Sequence, residues 1–214
     1  LLTPSKIFVT GTDTDVGKTI VSAILVAGLQ AVYWKPVQSG VTASAGAAEN
    51  TDSKWIQSVL KLSDDRICKE RHLLSEPLSP HAAAKIDGIK IDLDDFELPD
   101  TGGRPLIVEG AGGVLVPLND RHLMLDLMEK LSLPVVVVAR SGLGTINHTL
   151  LTLRALNERG LTVLGVVMNG PKNNSNREAL EHFGGCRVLA ELEPMQVLSR
   201  EKIEGEFFGF ILQP

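Results

Sequence analysis

The chain has 214 residues, 43% of them hydrophobic, which is enough for one sizeable core and leads us to expect a single domain over 1–214. A formal charge of -5 and an isoelectric point near 5.6 argue against the clustered Lys and Arg of a broad nucleic-acid surface. Cys68 and Cys186 form no disulfide framework, and the five histidines show no metal-ligand spacing. No apolar run approaches the roughly 20 residues of a membrane span, and the first residues lack the flanks of a signal peptide, so a cytoplasmic protein with no membrane partner is expected.

In chain order, "KIFVTG" (6–11) predicts a strand, followed by a glycine-bearing loop and a helix over 19–30. "AVYWKPV" (31–37) predicts a second strand, and a helix follows from about Asp52 through "SKWIQSVLKL". "SPHAAAKI" (79–86) predicts a short helix with Ser79 as cap and Pro80 at its first position. "RPLIVEG" (104–110) predicts a strand, "HLMLDLMEKL" (122–131) a helix and "LPVVVVAR" (133–140) a strand. A helix over 145–160 closed by Gly160, a strand over 161–170 and a helix over 174–184 complete the series. "AENTDS" and "DTGGRP" predict loops.

Runs such as 135–139 and 163–168 are continuously apolar rather than alternating, as parallel strands covered on both faces are. Strand–helix alternation of this kind predicts a doubly wound, mostly parallel α/β domain, and the loop "GTDTDVGKT" between its first strand and first helix makes it resemble the P-loop NTPases. Such folds bind ligands at the carboxyl ends of their strands. Polar residues recur at those ends: after Thr10, at Lys35, Glu109, Ser141 and Asn169.

"GTDTDVGKT" is the strongest motif. A strand enters a loop ending Gly17-Lys18-Thr19, and a helix starts at once. Backbone N–H groups of Asp15, Val16 and Gly17 and the helix terminus suit a phosphate, Lys18 adds a charge, and the Thr19 hydroxyl suits the shell of Mg²⁺. The loop is a variant: Thr12 stands where the usual spacing puts glycine, and Gly11 comes one residue earlier. Glu109, at the end of an apolar strand, is a metal candidate, with Gly110, Ala111 and Gly112 letting backbone approach a ligand. Asp52 is either a second metal candidate or a helix cap. Asn169-Gly170 is either a turn or the site of a base-reading amide. Lys35, after a buried strand and before Pro36, either meets an anion or leads its charge out of the core.

"GTDTDVGKT", "WKPVQSG", "TDS", "SPH", "VEGAGG", "LGTINH" and "MNG" occur in the order seen in the dethiobiotin synthetases, and the resemblance spans about Lys6 to Glu193. It implies an ATP- and Mg²⁺-dependent cyclo-ligase of biotin biosynthesis. In such an enzyme 7,8-diaminopelargonate takes up CO₂ as a carbamate, ATP activates it to a carbamic-phosphoric anhydride, and the second amine closes the ring. The resemblance assigns Lys35 to the carbamate and γ-phosphate, Lys18 to the phosphates, and Thr19, Asp52 and Glu109 to Mg²⁺. It assigns Thr14 and Ser39 to the diamine, Asn169 to the base, and a loop around Glu193 and Pro194 to bracketing that base. Gly144, Thr145 and Asn147 would open a helix receiving the substrate carboxylate across a homodimer interface; the same residues also suit a capped turn. The segment from 190 onward matches the family poorly. A nucleotide-dependent switch that binds ATP without making product is the competing expectation.

Overall fold

A computed structural model describes residues 4–41, 51–195 and 197–207. Its centre is a seven-stranded sheet built from β1 (Lys6–Gly11), β2 (Val32–Trp34), β4 (Ile67–Cys68), β6 (Leu106–Gly113), β7 (Val135–Arg140), β8 (Val163–Asn169) and β9 (Val188–Leu192). These run in the order β4-β2-β6-β1-β7-β8-β9, and β3 (Val37–Gln38) pairs with β5 (His72–Leu73) alongside. Every pairing among the described strands is parallel. The predicted doubly wound α/β fold is therefore what forms.

Helices cover both faces. One face packs against α1 (Lys18–Gly28), α2 (Asp52–Leu60) and α7 (Arg200–Glu206), burying Ile7, Val9, Tyr33, Ile107, Val136 and Val138. The other packs against α3 (Pro80–Asp87), α4 (Met124–Leu131), α5 (Thr145–Glu158) and α6 (Asn174–Gly184), burying Phe8, Trp34, Val108, Val135 and Val137. Consecutive strand residues thus alternate between the two cores, which is why these strands read as unbroken apolar runs.

Several predicted boundaries shift for physical reasons. The strand over 31–37 ends at Trp34, because Pro36 lacks an N–H and its carbonyl turns to accept from the N–H groups of Arg71 and His72 at 2.9 and 3.1 Å. Two more residues then pair in the small sheet. The strand expected to stop at 110 continues to Gly113. The helix expected from 122 starts at Met124, because Leu118 and Asn119 draw His122 into a turn. Ser79 does precede α3, with Pro80 opening it, but its hydroxyl meets His81 Nδ1 at 2.9 Å instead of capping. "AENTDS" lies partly outside the described residues, and its last two residues already belong to α2. None of the described helices is long and apolar enough to cross a membrane.

The cap of α2 settles one open alternative. Thr51, not Asp52, is the cap: its side chain accepts from Lys54 N at 3.2 Å, which leaves the Asp52 carboxylate available elsewhere. Thr51→Ala should cost about 1 kcal/mol of stability, read from urea unfolding.

Candidate active site

The carboxyl ends of β1, β2 and β6 open into one cavity of about 880 Å³. Among its lining residues are Thr14, Asp15, Gly17, Lys18, Thr19, Lys35, Ser39, Asp52, Glu109, Ala111, Gly112 and Asn169, so twelve of the expected site residues face a common space.

The loop between β1 and α1 is shaped by two glycines. Gly17 caps α1 at φ 99°, and a Cβ there would lie 2.2 Å from Asn169 Nδ2. A Cβ on Gly11 would lie 2.7 Å from Val16 Cγ2 and 2.9 Å from the Asp13 carbonyl. The close approach that a glycine must permit falls at position 11, so Thr12 does not block the loop. Asn169 Nδ2 donates to the Val16 carbonyl at 2.9 Å, tying the end of β8 to the loop. Arg140, at the end of β7, reaches the Thr14 carbonyl at 3.1 Å and Asp13 Oδ2 at 3.3 Å. Lys18 Nζ turns back onto the Asp13 carbonyl at 2.8 Å.

The charged centre lies across from the loop. Glu109 is fully buried. Its Oε1 accepts from Thr19 Oγ1 at 2.9 Å and from Lys35 Nζ at 3.0 Å, and its Oε2 accepts from the Tyr33 hydroxyl at 2.9 Å. Lys35 Nζ also bonds Asp52 Oδ2, and Asp52 N donates to Gln38 Oε1 at 3.3 Å. Strand periodicity explains the convergence. Tyr33 pairs with Ile107, so Tyr33 and Glu109 share one face of the sheet, the face against which α1 starts.

Burial works against the Lys35 ammonium, but the Glu109 and Asp52 carboxylates outweigh it and hold its pKa above the usual lysine value. Lys18 goes the other way. Burial depresses it, and Glu109 only partly opposes that while Lys35 repels it. The Tyr33 phenol is pushed well above its ordinary range by burial and then by Glu109, and so remains a donor. Ser39 Oγ is buried on the cavity side with no hydrogen-bond partner among the described residues. Thr19, Asp52 and Glu109 supply hydroxyl and carboxylate oxygens, the hard donors Mg²⁺ takes together with phosphate oxygens.

Other expected residues stand apart. The Val16 side chain is in the core, which leaves only its backbone for a ligand. Gly110 faces Phe8 on the opposite side of the sheet, and Gly170 N donates to the Leu192 carbonyl at 2.8 Å. Gly144 caps α5, with Thr145 and Asn147 in its first turn, and none of the three lines the cavity. Glu193 pairs with Lys172 at 3.5 Å; neither it nor Pro194 lines the cavity. Sequence reading missed Tyr33, which looked like one more apolar strand residue, and Gln38. The signal for Tyr33 was the two-residue spacing to Lys35, which places both on one strand face.

A parallel sheet with a phosphate loop at its centre and carboxylates beside it defines a nucleotide-handling protein of the P-loop class. The AAA domain family matches residues 5–202. Solved structures similar in fold include a ParA family ATPase from Chlorobium tepidum TLS, with TM-score 0.54 and 10% identity over 96% of this chain and 89% of that one. The MinC:MinD cell division protein complex of Aquifex aeolicus gives 0.56 and 11% over 95% and 93%. Relatives much nearer in sequence narrow the class. The ATP-dependent dethiobiotin synthetase BioD of Paramagnetospirillum magneticum is 55% identical over 93% of both chains, and that of Bradyrhizobium sp. 47% over 93% of this chain and 92% of that one. The chain belongs to the ATP-dependent dethiobiotin synthetases, a family of enzymes.

The buried cluster has a consequence for stability. Lys35→Met would leave Glu109 without its cation and should cost about 3 kcal/mol or more. Adding Glu109→Gln should recover part of that loss, a non-additivity that urea unfolding of the two single variants and the double variant measures.

Proposed function

We propose that the chain joins 7,8-diaminopelargonate and CO₂ into dethiobiotin at the expense of ATP, in biotin biosynthesis. The observation that carries this reading is the meeting, in one cavity, of a phosphate loop with a second buried lysine, Lys35, and a hydroxyl, Ser39, that has no partner among the described residues. A protein that only binds and hydrolyses a nucleotide has no need of the second pair. Family membership supports the same reading.

Lys18 and the loop amides would bind the phosphates, and Asn169 would hold the loop in shape or turn its free oxygen to the base. Thr14 and Ser39 would orient the diamine. Lys35 would offset the repulsion between carbamate and γ-phosphate as they approach in line; one such contact is worth about 4 kcal/mol at 4 Å and an effective dielectric near 20, before desolvation. Mg²⁺, held by Thr19, Asp52 and Glu109, would neutralise phosphate charge when bound. The free amine would then close on the activated carbamate and release phosphate.

The N-terminus of α5 is proposed to serve a second copy of the chain, binding the substrate carboxylate there through Gly144, Thr145 and Asn147. Leu143 is fully exposed beside this terminus and Leu151 is 59% exposed further along α5, as a face awaiting a partner would be. A cytoplasmic location fits an enzyme using ATP and a small metabolite.

With ATP, Mg²⁺ and bicarbonate present, phosphate release should depend on the diamine; a nucleotide switch would release it regardless. At saturating nucleotide, Lys35→Gln should lower turnover on the order of 10²–10³-fold with nucleotide affinity nearly kept. Asn147→Ala should likewise lose most activity, and mixing it with Lys35→Gln should restore activity at about a quarter of the sites, because half the dimers are mixed and each has one intact site. No recovery in the mixture would refute the shared site.

A further inference from the structure

The two oxygens of Glu109 have different surroundings. Oε1 accepts from Thr19 and Lys35, both of which line the nucleotide cavity. Oε2 has one donor among the described residues, the Tyr33 hydroxyl at 2.9 Å, and Tyr33 lines no part of the cavity. Tyr33 and Glu109 are both fully buried.

We propose that Tyr33 is a positioning residue for Glu109: its hydroxyl holds Oε2 in the core and thereby keeps Oε1 presented to the divalent cation of the bound nucleotide. The inference rests on the reading of Glu109 as a metal-holding residue. The two oxygens of a carboxylate are equivalent, so a half-turn about its last carbon–carbon bond changes nothing; what must be fixed is the plane of the group. Thr19 and Lys35 hold one oxygen, and among the described residues Tyr33 is the donor that holds the other and so sets the tilt of that plane. Its ring is fixed by strand geometry: Tyr33 pairs with Ile107, and Glu109 is the next residue of β6 on that face. Groups that orient a ligating carboxylate matter nearly as much as the ligand itself.

Tyr33→Phe keeps the ring and removes only the donor. Calorimetric titration of ATP at graded Mg²⁺ concentrations should show the Mg²⁺ midpoint displaced upward by about 10–100-fold, with ATP binding in the absence of Mg²⁺ unchanged. A purely structural role would lower the melting temperature and leave that midpoint in place, which would overturn the proposal. Glu109→Gln is the parallel arm. If it loses Mg²⁺-dependent binding while Tyr33→Phe behaves as the parent, only the role of Tyr33 is refuted. If Glu109→Gln keeps the parental midpoint, the metal-holding reading of Glu109 fails and takes the role of Tyr33 with it. The chain has a single tyrosine, so 3-fluorotyrosine labelling gives one ¹⁹F signal, from position 33. That signal should move when Mg²⁺ is added to the ATP complex, and a stationary signal counts against the proposal even if Tyr33→Phe fails to fold.

Discussion

A carboxylate buried without solvent, at Glu109, is the constraint around which the site is arranged. Several kcal/mol oppose placing such a charge inside a sheet, and only direct donors offset them. Three are supplied, from two places in the chain: Thr19 from the first turn of α1, and Tyr33 and Lys35 from β2 and the residue just after it. Strand order makes this possible, since β6 lies between β1, which leads into α1, and β2. The phosphate loop, the strand-end lysine and the carboxylate are therefore one interlocked unit.

Charge balance shows why this unit suits an anionic ligand accompanied by a cation. Lys18 and Lys35 face Glu109 and Asp52 across the cavity, so the four groups already cancel. A nucleotide triphosphate adds negative charge to a site where Lys35 is already paired with two carboxylates. On the proposed reading a divalent cation supplies the deficit at the same oxygens that Lys35 now spans, so ammonium and metal contend for them. Lys35 is then the group with somewhere else to go, toward the anion that the reaction must bring beside the phosphate.

Much of this was legible in the sequence because the signals are local. Gly17-Lys18-Thr19 follows a strand directly, Lys35 breaks an apolar run, and Glu109 ends one. Tyr33 was not legible, since a buried tyrosine and a core residue look alike until the partner strand is known. The ends of the chain's fold were hidden for another reason. β9 is only five residues long and includes Glu191 among apolar neighbours, and α7 buries Ile203 alone, so neither carries a periodic pattern. The departure of the chain from the sheet at Pro36 was missed, since the strand was expected to run on to Val37; the small sheet that the chain enters there depends on β5, far along the sequence.

The two lysines differ in a way that bears on their division of labour. Lys35 is held charged by two carboxylates, whereas among the described residues Lys18 hydrogen-bonds only the Asp13 carbonyl, and burial outweighs the attraction of Glu109. A phosphate entering the loop would relieve that unfavourable position, so the gain in charge stabilisation at Lys18 is deferred until the ligand arrives. Lys35 gains nothing comparable from the nucleotide alone, because its two carboxylates already satisfy it. Its interaction with an anion becomes favourable only as those carboxylates are taken up by another cation. On the proposed reading, a residue whose free charge depends on nucleotide and metal being in place is suited to the later, bond-forming stage rather than to binding.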